Sequence, residues 1–205
     1  IRTTEIIPVD LNCLLFDLEL TIATAAKQKG DLTMSLDFLQ KSLKRKMGIL
    51  KYCWNKEKGY FFDYDFVNKS YTDVYSLAGI FPLYLNVADK QQAKSVKTML
   101  EDVFLKQGGL VTSLANTGQQ WDAPNGWAPL QWIAVKGLEN YGYNKLANEV
   151  SKRWLQTNRL VFRKTGRLTE KYNVENTGLK GGGGEYPSQD GFGWTNGVAI
   201  GMMTR

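Results

Sequence analysis

Apolar residues recur at helical spacing along most of the chain. Leu11, Leu14, Leu15, Leu18 and Ile22 fall close to i, i+3, i+4 and i+7, which marks one face of a helix. That helix is predicted from an Asp10 cap to Gly30, a plausible C′ stop. A second helix is expected from Thr33 to about Cys53, with Leu36, Leu39, Leu43, Met47 and Leu50 as its apolar stripe. A third, roughly Tyr75 to Val87, is apolar on all sides, as a buried helix is, with Pro82 inside it as a kink. A fourth runs from Asp89 to about Leu105 and is polar on its outer face. A fifth, Pro129 to Tyr141, is apolar again. A sixth, Lys145 to Asn158, is amphipathic, and a seventh opens after Thr195 or Asn196.

Buried and amphipathic helices therefore alternate in pairs. The links within pairs are short: Gly30-Asp31-Leu32, Ala88-Asp89 and Gly142-Tyr143-Asn144. The links between pairs are long, rich in glycine and aromatics, and each carries a strand-like run. These runs begin at Tyr60, Leu110 and Arg167, so the spacings are 50 and 57 residues. A repeating helix hairpin is the pattern of solenoids and helical toroids. All short links then fall at one end and all long links at the other. Loops longer than ~12–15 residues are usually functional or disordered, and these are too aromatic for disorder. An all-α toroid with its working face at the long-loop end is the simplest architecture, read as one partial domain over residues 1–205 with no internal boundary.

Composition narrows the chemistry. The 205 residues are 43% hydrophobic with a formal charge of +6, too apolar for a disordered chain. The sequence contains no His, which excludes a Ser-His-Asp triad, a Cys-His pair, His-ligated zinc and any imidazole acid or base. Two Cys make no disulfide framework at this size, and Cys13 and Cys53 read as buried free thiols. No apolar run approaches the ~20 residues of a membrane helix, so no membrane association is expected. The cations of Lys27, Lys29, Lys41, Lys44, Arg45, Lys46, Lys51, Lys56 and Lys58 read as a solvated outer face. No aromatics interleave with them between Lys41 and Lys51, as a nucleic-acid surface would require.

The candidate chemistry sits in the long loops. Asp63 and Asp65 lie on the first. The second reads Gln119-Gln120-Trp121-Asp122-Ala123-Pro124-Asn125-Gly126-Trp127-Ala128-Pro129. The third holds Glu170, then Gly181-Gly182-Gly183-Gly184-Glu185-Tyr186-Pro187, then Gln189-Asp190-Gly191-Phe192-Gly193-Trp194-Thr195-Asn196-Gly197. Trp faces stack on the C–H faces of sugars, although plugging the end of the toroid is an alternative use. The glycines permit close backbone approach. They do not read as a phosphate cradle, because no GK[ST] follows and a carboxylate stands in its place. Without His, paired carboxylates are the natural acid and base, and glycoside hydrolysis is the main reaction built that way. Calcium would require closely spaced ligands, and no EF-hand spacing occurs, so no metal site is expected.

These segments resemble a known family. Gln120 to Pro129 is similar to one signature of the trehalases, glycoside hydrolase family 37. Gly181 to Tyr186 with Gln189 to Gly197 resembles a glycine-rich second signature. The opening Arg2-Thr3-Thr4-Glu5-Ile6-Ile7-Pro8-Val9-Asp10-Leu11-Asn12 is also similar, so the resemblance spans the chain. It implies an (α/α)₆ barrel, of which this chain supplies about seven helices, and inverting hydrolysis of α,α-trehalose to two glucose molecules without a cofactor. The family's base lies in a Glu-Lys-Tyr segment that matches Glu170. Glu185 matches a Glu that contacts sugar hydroxyls. Trp121, Asp122, Asn125, Trp127 and Tyr186 are placed at or beside the pocket.

One departure matters. The family's acid is an Asp in a Ser-Gly-Trp-Asp segment, which is absent here and is expected just upstream of Ile1. Both ends of the chain read as cut. The implied partner is a small disaccharide, and the isolated chain is expected to be inactive. An open arc exposes apolar edges, so the N-terminal half of the barrel or self-association is expected to cover them. A non-catalytic carbohydrate-binding arc and a helical-toroid hydrolase of another glucoside stand as alternatives. Compartment is left open, with a lean towards export.

Overall fold

A computed structural model describes residues 2–204. Helix α1 (Val9–Gln28) and helix α2 (Leu32–Tyr52) form the first hairpin. The turn between them contains Gly30 at φ +82°, a left-handed position that suits glycine. Asp31 then caps α2 by accepting the Met34 N–H at 2.9 Å. Helix α3 (Phe81–Tyr84) and helix α4 (Lys90–Met99) form the second pair. Helix α5 (Ala128–Asn140) and helix α6 (Asn144–Thr165) form the third, and helix α7 (Gly193–Met203) follows. Short and long links alternate as the sequence requires.

Several boundaries differ from expectation: α1 opens at Val9, ahead of its expected Asp10 cap, and α7 opens at Gly193, ahead of Thr195. The third helix is not one kinked rod. A 3-10 turn over Leu77–Ile80 precedes α3, and Pro82 stands in the first turn of that short helix. A missing N–H is harmless there, whereas it would break a helix interior. Helix α6 runs well past Asn158 and stops where Gly166 takes φ +72°.

The long links carry short antiparallel strands. Strand β1 (Ile6–Ile7) precedes α1. The first link holds β2 (Trp54–Asn55), β3 (Tyr60–Phe61), β4 (Tyr64–Asp65) and β5 (Ser70–Tyr71). β2 pairs with β3, and β4 lies between β1 and β5. The second link holds β6 (Leu105–Lys106), its partner β7 (Gly109–Leu110), and β8 (Asn125–Trp127). The third holds β9 (Lys171–Asn173), which pairs with β8.

The chain divides into two compact units, residues 2–73 with 78–96, and residues 74–77 with 97–204. In the first, α1 buries Val9, Cys13, Phe16, Ala23 and Ala26. Arg45 of α2 grips Glu19 of α1 through two nitrogens, at 3.0 and 2.7 Å, and donates to Asn12 at 3.0 Å. Arg45 therefore does not belong to the solvated face assigned to it, because the hairpin brings it against an acidic partner. Both thiols are free and buried. Burial is the main cause that pushes the Cys53 thiol up to about 12, and it raises Cys13 as well.

The leucine stripe of the first hairpin is open. Leu11, Leu14 and Leu18 on α1 are exposed, as are Leu36, Leu39, Leu43 and Met47 on α2. The side of α1 that is buried runs through Cys13 and Phe16 instead. The periodicity is that of a buried face, but no described residue covers it.

In the second unit, Gln131 of α5 ties β7 to the helix layer. It is fully buried, accepts the Leu110 N–H at 2.8 Å and donates to the Leu110 carbonyl at 2.7 Å. A buried backbone group deprived of its partner costs about 1–3 kcal/mol. Gln131→Leu is expected to lower stability by about that amount, read as a lower melting temperature of the full-length protein. No helix among the described residues is long and apolar enough to cross a membrane.

Candidate active site

The β8–β9 pair builds the site, joining the second and third long loops. Its register sets Asn125 opposite Asn173, Gly126 opposite Tyr172 and Trp127 opposite Lys171. Gly126 has no room for a side chain, since a Cβ there would lie 2.6 Å from Val174 and 2.9 Å from the Leu110 carbonyl. Tyr172 anchors β9 against α6, its ring meeting Trp154 edge-on at 5.1 Å. Its hydroxyl accepts the Thr169 N–H at 3.0 Å.

Glu170 immediately precedes β9. Its N–H donates to the Gln189 carbonyl at 2.9 Å, and Thr195 at the start of α7 donates to the Thr169 carbonyl at 2.8 Å. The peptide group leading into Glu170 is thus held at both its N–H and its carbonyl by the residues that follow β9. The Glu170 side chain is 1% exposed. One of its oxygens pairs with the ammonium of Lys171, whose side chain is fully buried. Lys171 Nζ also donates to Gln120 Oε1 at 3.3 Å and lies 5.2 Å from the Trp127 ring and 5.3 Å from the Tyr186 ring. A desolvated cation near aromatic faces is stabilised by the ring quadrupoles.

Trp127 is buried, and its indole N–H donates to the Gln120 carbonyl at 2.9 Å. Trp121 stacks on it with centroids 4.0 Å apart and planes 2° from parallel. Trp194 meets Trp127 edge-on at 5.8 Å, and Phe192 packs against Trp194 at 4.8 Å. Trp121 is 45% exposed, so it is the member of the stack that presents surface. Trp127 supports it and cannot itself offer a free face.

Asn125 has a different task from direct display. It is buried, donates to the carbonyls of Gln120 at 3.2 Å and Gly182 at 2.7 Å, and accepts the Gly182 N–H at 3.1 Å. It therefore staples the glycine run to the second long loop. The glycines allow that approach. A Cβ on Gly181 would sit 2.8 Å from the Lys171 carbonyl, and one on Gly183, at φ +86°, would sit 2.7 Å from the Gly118 carbonyl. Glu185 and Tyr186 follow this strap and are exposed.

The remaining carboxylates hold loops. Asp122 accepts from Ser113 Oγ at 3.0 Å, from the Thr117 N–H at 3.3 Å and from the Thr117 hydroxyl. Asp190 pairs with Arg167. In the other unit, Asp63 accepts the Val9 N–H at 2.8 Å at the start of α1, and burial raises its carboxyl above the usual range. Asp65 also accepts the Val67 N–H; the Asn68 backbone and side-chain N–H groups, then the Arg2 ion pair, hold it below that range. No group of acidic or thiol side chains suited to a metal occurs among the described residues.

The unit thus brings together Glu170, Trp121, Trp127 and Tyr186 around Lys171, with Asn125 and Asp122 bracing the loops beneath. Sequence reasoning passed over Lys171 and Gln120. A lysine beside a carboxylate gives no signal of burial until β8 covers it.

The chain is similar to known proteins along its whole length. The family model described as trehalase matches residues 1–205. The periplasmic trehalase of Escherichia coli O17:K52:H18 (strain UMN026 / ExPEC) is 46% identical over 203 residues, covering 99% of this chain and 36% of that protein. Among solved structures, the neutral trehalase of Saccharomyces cerevisiae superposes with a TM-score of 0.81 at 29% identity, over 98% of this chain and 38% of its own. The GH63 mannosylglycerate hydrolase of Thermus thermophilus superposes with a TM-score of 0.76 at 21% identity, over 98% of this chain and 46% of its own. The chain spans about a third of the length of the curated relatives it matches. Its fold is that of an (α/α)₆ barrel, of which it supplies a part, and the chain belongs to the trehalase family.

Proposed function

We propose that this chain is the base-carrying part of a longer glycoside hydrolase that splits α,α-trehalose into two glucose molecules with inversion at the attacked carbon. The observation that carries this reading is the buried Glu170 carboxylate, paired with Lys171 in the same loop cluster as the Trp121–Trp127 stack, in a chain of the trehalase family. Only one Glu170 oxygen is engaged by Lys171; the other takes no hydrogen bond from any described residue. It is the natural acceptor for a proton from the attacking water. An inverting site keeps its two carboxyls ~6.5–9.5 Å apart so that this water fits between them. The acid is supplied by a segment outside residues 1–205. Asp122 is poorly suited to replace it, because both its oxygens already accept bonds from Ser113 and Thr117.

In this reading Trp121 stacks on a glucose ring, while Glu185 and Tyr186 meet its hydroxyls. Asn125, Asp122 and Trp127 fix the loops that present them. The chain alone releases no glucose. The name of the E. coli relative supports an exported location for the whole protein.

The test is proton NMR of the first products formed from trehalose by the full-length protein. One β-glucose and one α-glucose per substrate are expected before mutarotation. Two α-glucose molecules would overturn inversion, and no glucose at all would overturn the activity.

A further inference from the structure

We infer that Lys171 is a positioning residue for Glu170, holding one carboxylate oxygen and so setting the direction of the other without touching substrate; this rests on the proposed role of Glu170 as base. Four observations converge on it. The lysine side chain is fully buried, which is rare for lysine unless paired. Its only charged partner among the described residues is the adjacent Glu170. Its remaining contacts, Gln120 Oε1 and the rings of Trp127 and Tyr186, come from two other segments that line the same site. Finally, the β8–β9 register places Trp127 directly opposite it, so the strand pairing that builds the site also fixes the ammonium.

The arrangement has a chemical logic. A base must stay ionised and aimed while water is excluded around it. A buried carboxylate without a counter-charge would take up a proton. Lys171 supplies the counter-charge from behind, on one oxygen, and leaves the second for the water. Because the ammonium is itself held by an amide oxygen and two rings, it cannot swing towards the sugar. The aromatic stack thereby does two jobs. Trp121 faces outward, and Trp127 beneath it helps to hold the cation that holds the base.

The test compares trehalose hydrolysis by the full-length protein with its Lys171→Met, Lys171→Gln, Lys171→Arg and Glu170→Gln variants, each checked for folding by circular dichroism. Lys171→Met is expected to lower kcat by about 10²-fold, within the range attributed to general base assistance, while KM stays within about threefold. Lys171→Arg is expected to recover at least about tenfold of the loss, since it restores the charge. A Lys171→Met kcat within about threefold of wild type would overturn the inference, as would a rise in KM at unchanged kcat, which would make Lys171 part of the binding surface. If Lys171→Met does not fold, Lys171→Gln takes its place. If neither folds, or if Lys171→Arg folds and recovers nothing, the lysine is structural and the inference falls. Wild-type turnover by Glu170→Gln would instead sink the assignment of the base. An inactive Glu170→Gln beside an active Lys171→Met would sink only the role of the lysine.

Discussion

Glu170→Gln in the full-length protein is expected to abolish glucose release while trehalose still binds. The substitution keeps the shape and removes the charge, and with it the ability to accept a proton. General base assistance is worth ~10²–10⁴-fold, so turnover should fall by at least that range. A second consequence follows from burial. Gln leaves the Lys171 ammonium without its counter-charge in a site where both side chains are almost wholly shielded from solvent. Breaking one side of a buried ion pair typically costs about 3–5 kcal/mol, so the variant should also melt at a lower temperature. Adding Lys171→Met removes the orphaned cation and should recover part of that loss. Glucose release, trehalose calorimetry well below the melting point, and melting curves of the single and double variants check these outcomes together. Wild-type turnover in Glu170→Gln would exclude it as the base.

Trp127→Ala and Trp121→Ala are expected to separate support from display. Trp127 is 1% exposed and packs against two further indoles and the Lys171 ammonium. Truncating a buried Trp costs about 3–5 kcal/mol. Here it also frees the Gln120 carbonyl and removes the floor under Trp121. Stability and kcat should therefore fall together. Trp121 is stacked on one side and open on the other, so its truncation leaves no closed cavity. Its stability cost should stay within about 1 kcal/mol, typical of a half-exposed position. Its effect should appear in KM, because the sugar platform is lost. Equal stability losses in the two variants would contradict this division.

How much of this was visible in the sequence depended on the range of the interaction. The hairpins were legible because α1, α2, α5 and α6 each repeat their pattern within a few turns. The alternation of short and long links was legible for the same reason. Periodicity reports only that a face is apolar, not what covers it. Hence the Leu11–Leu14–Leu18 stripe is legible as apolar, while its exposure is visible only in the structure. The Trp-Asp and glycine signatures single out two loops that β8 and β9 join, a pairing that no local pattern announces. Asn125 and Asp122 are expected at or beside the pocket; that Asn125 also staples Gly182, 57 residues away, and that Thr117 turns back onto Asp122 are contacts only the fold reveals. Lys171 looked like a bystander until Trp127 arrived opposite it.

The two thiols of the first unit carry a consequence for where the protein can work. The reactive species in thiol oxidation and exchange is the thiolate, and burial suppresses it at both Cys13 and Cys53. Neither thiol forms a bridge, so this part of the fold needs no oxidant to mature and loses nothing to a reductant. This segment therefore keeps the same covalent structure in an oxidising and in a reducing compartment.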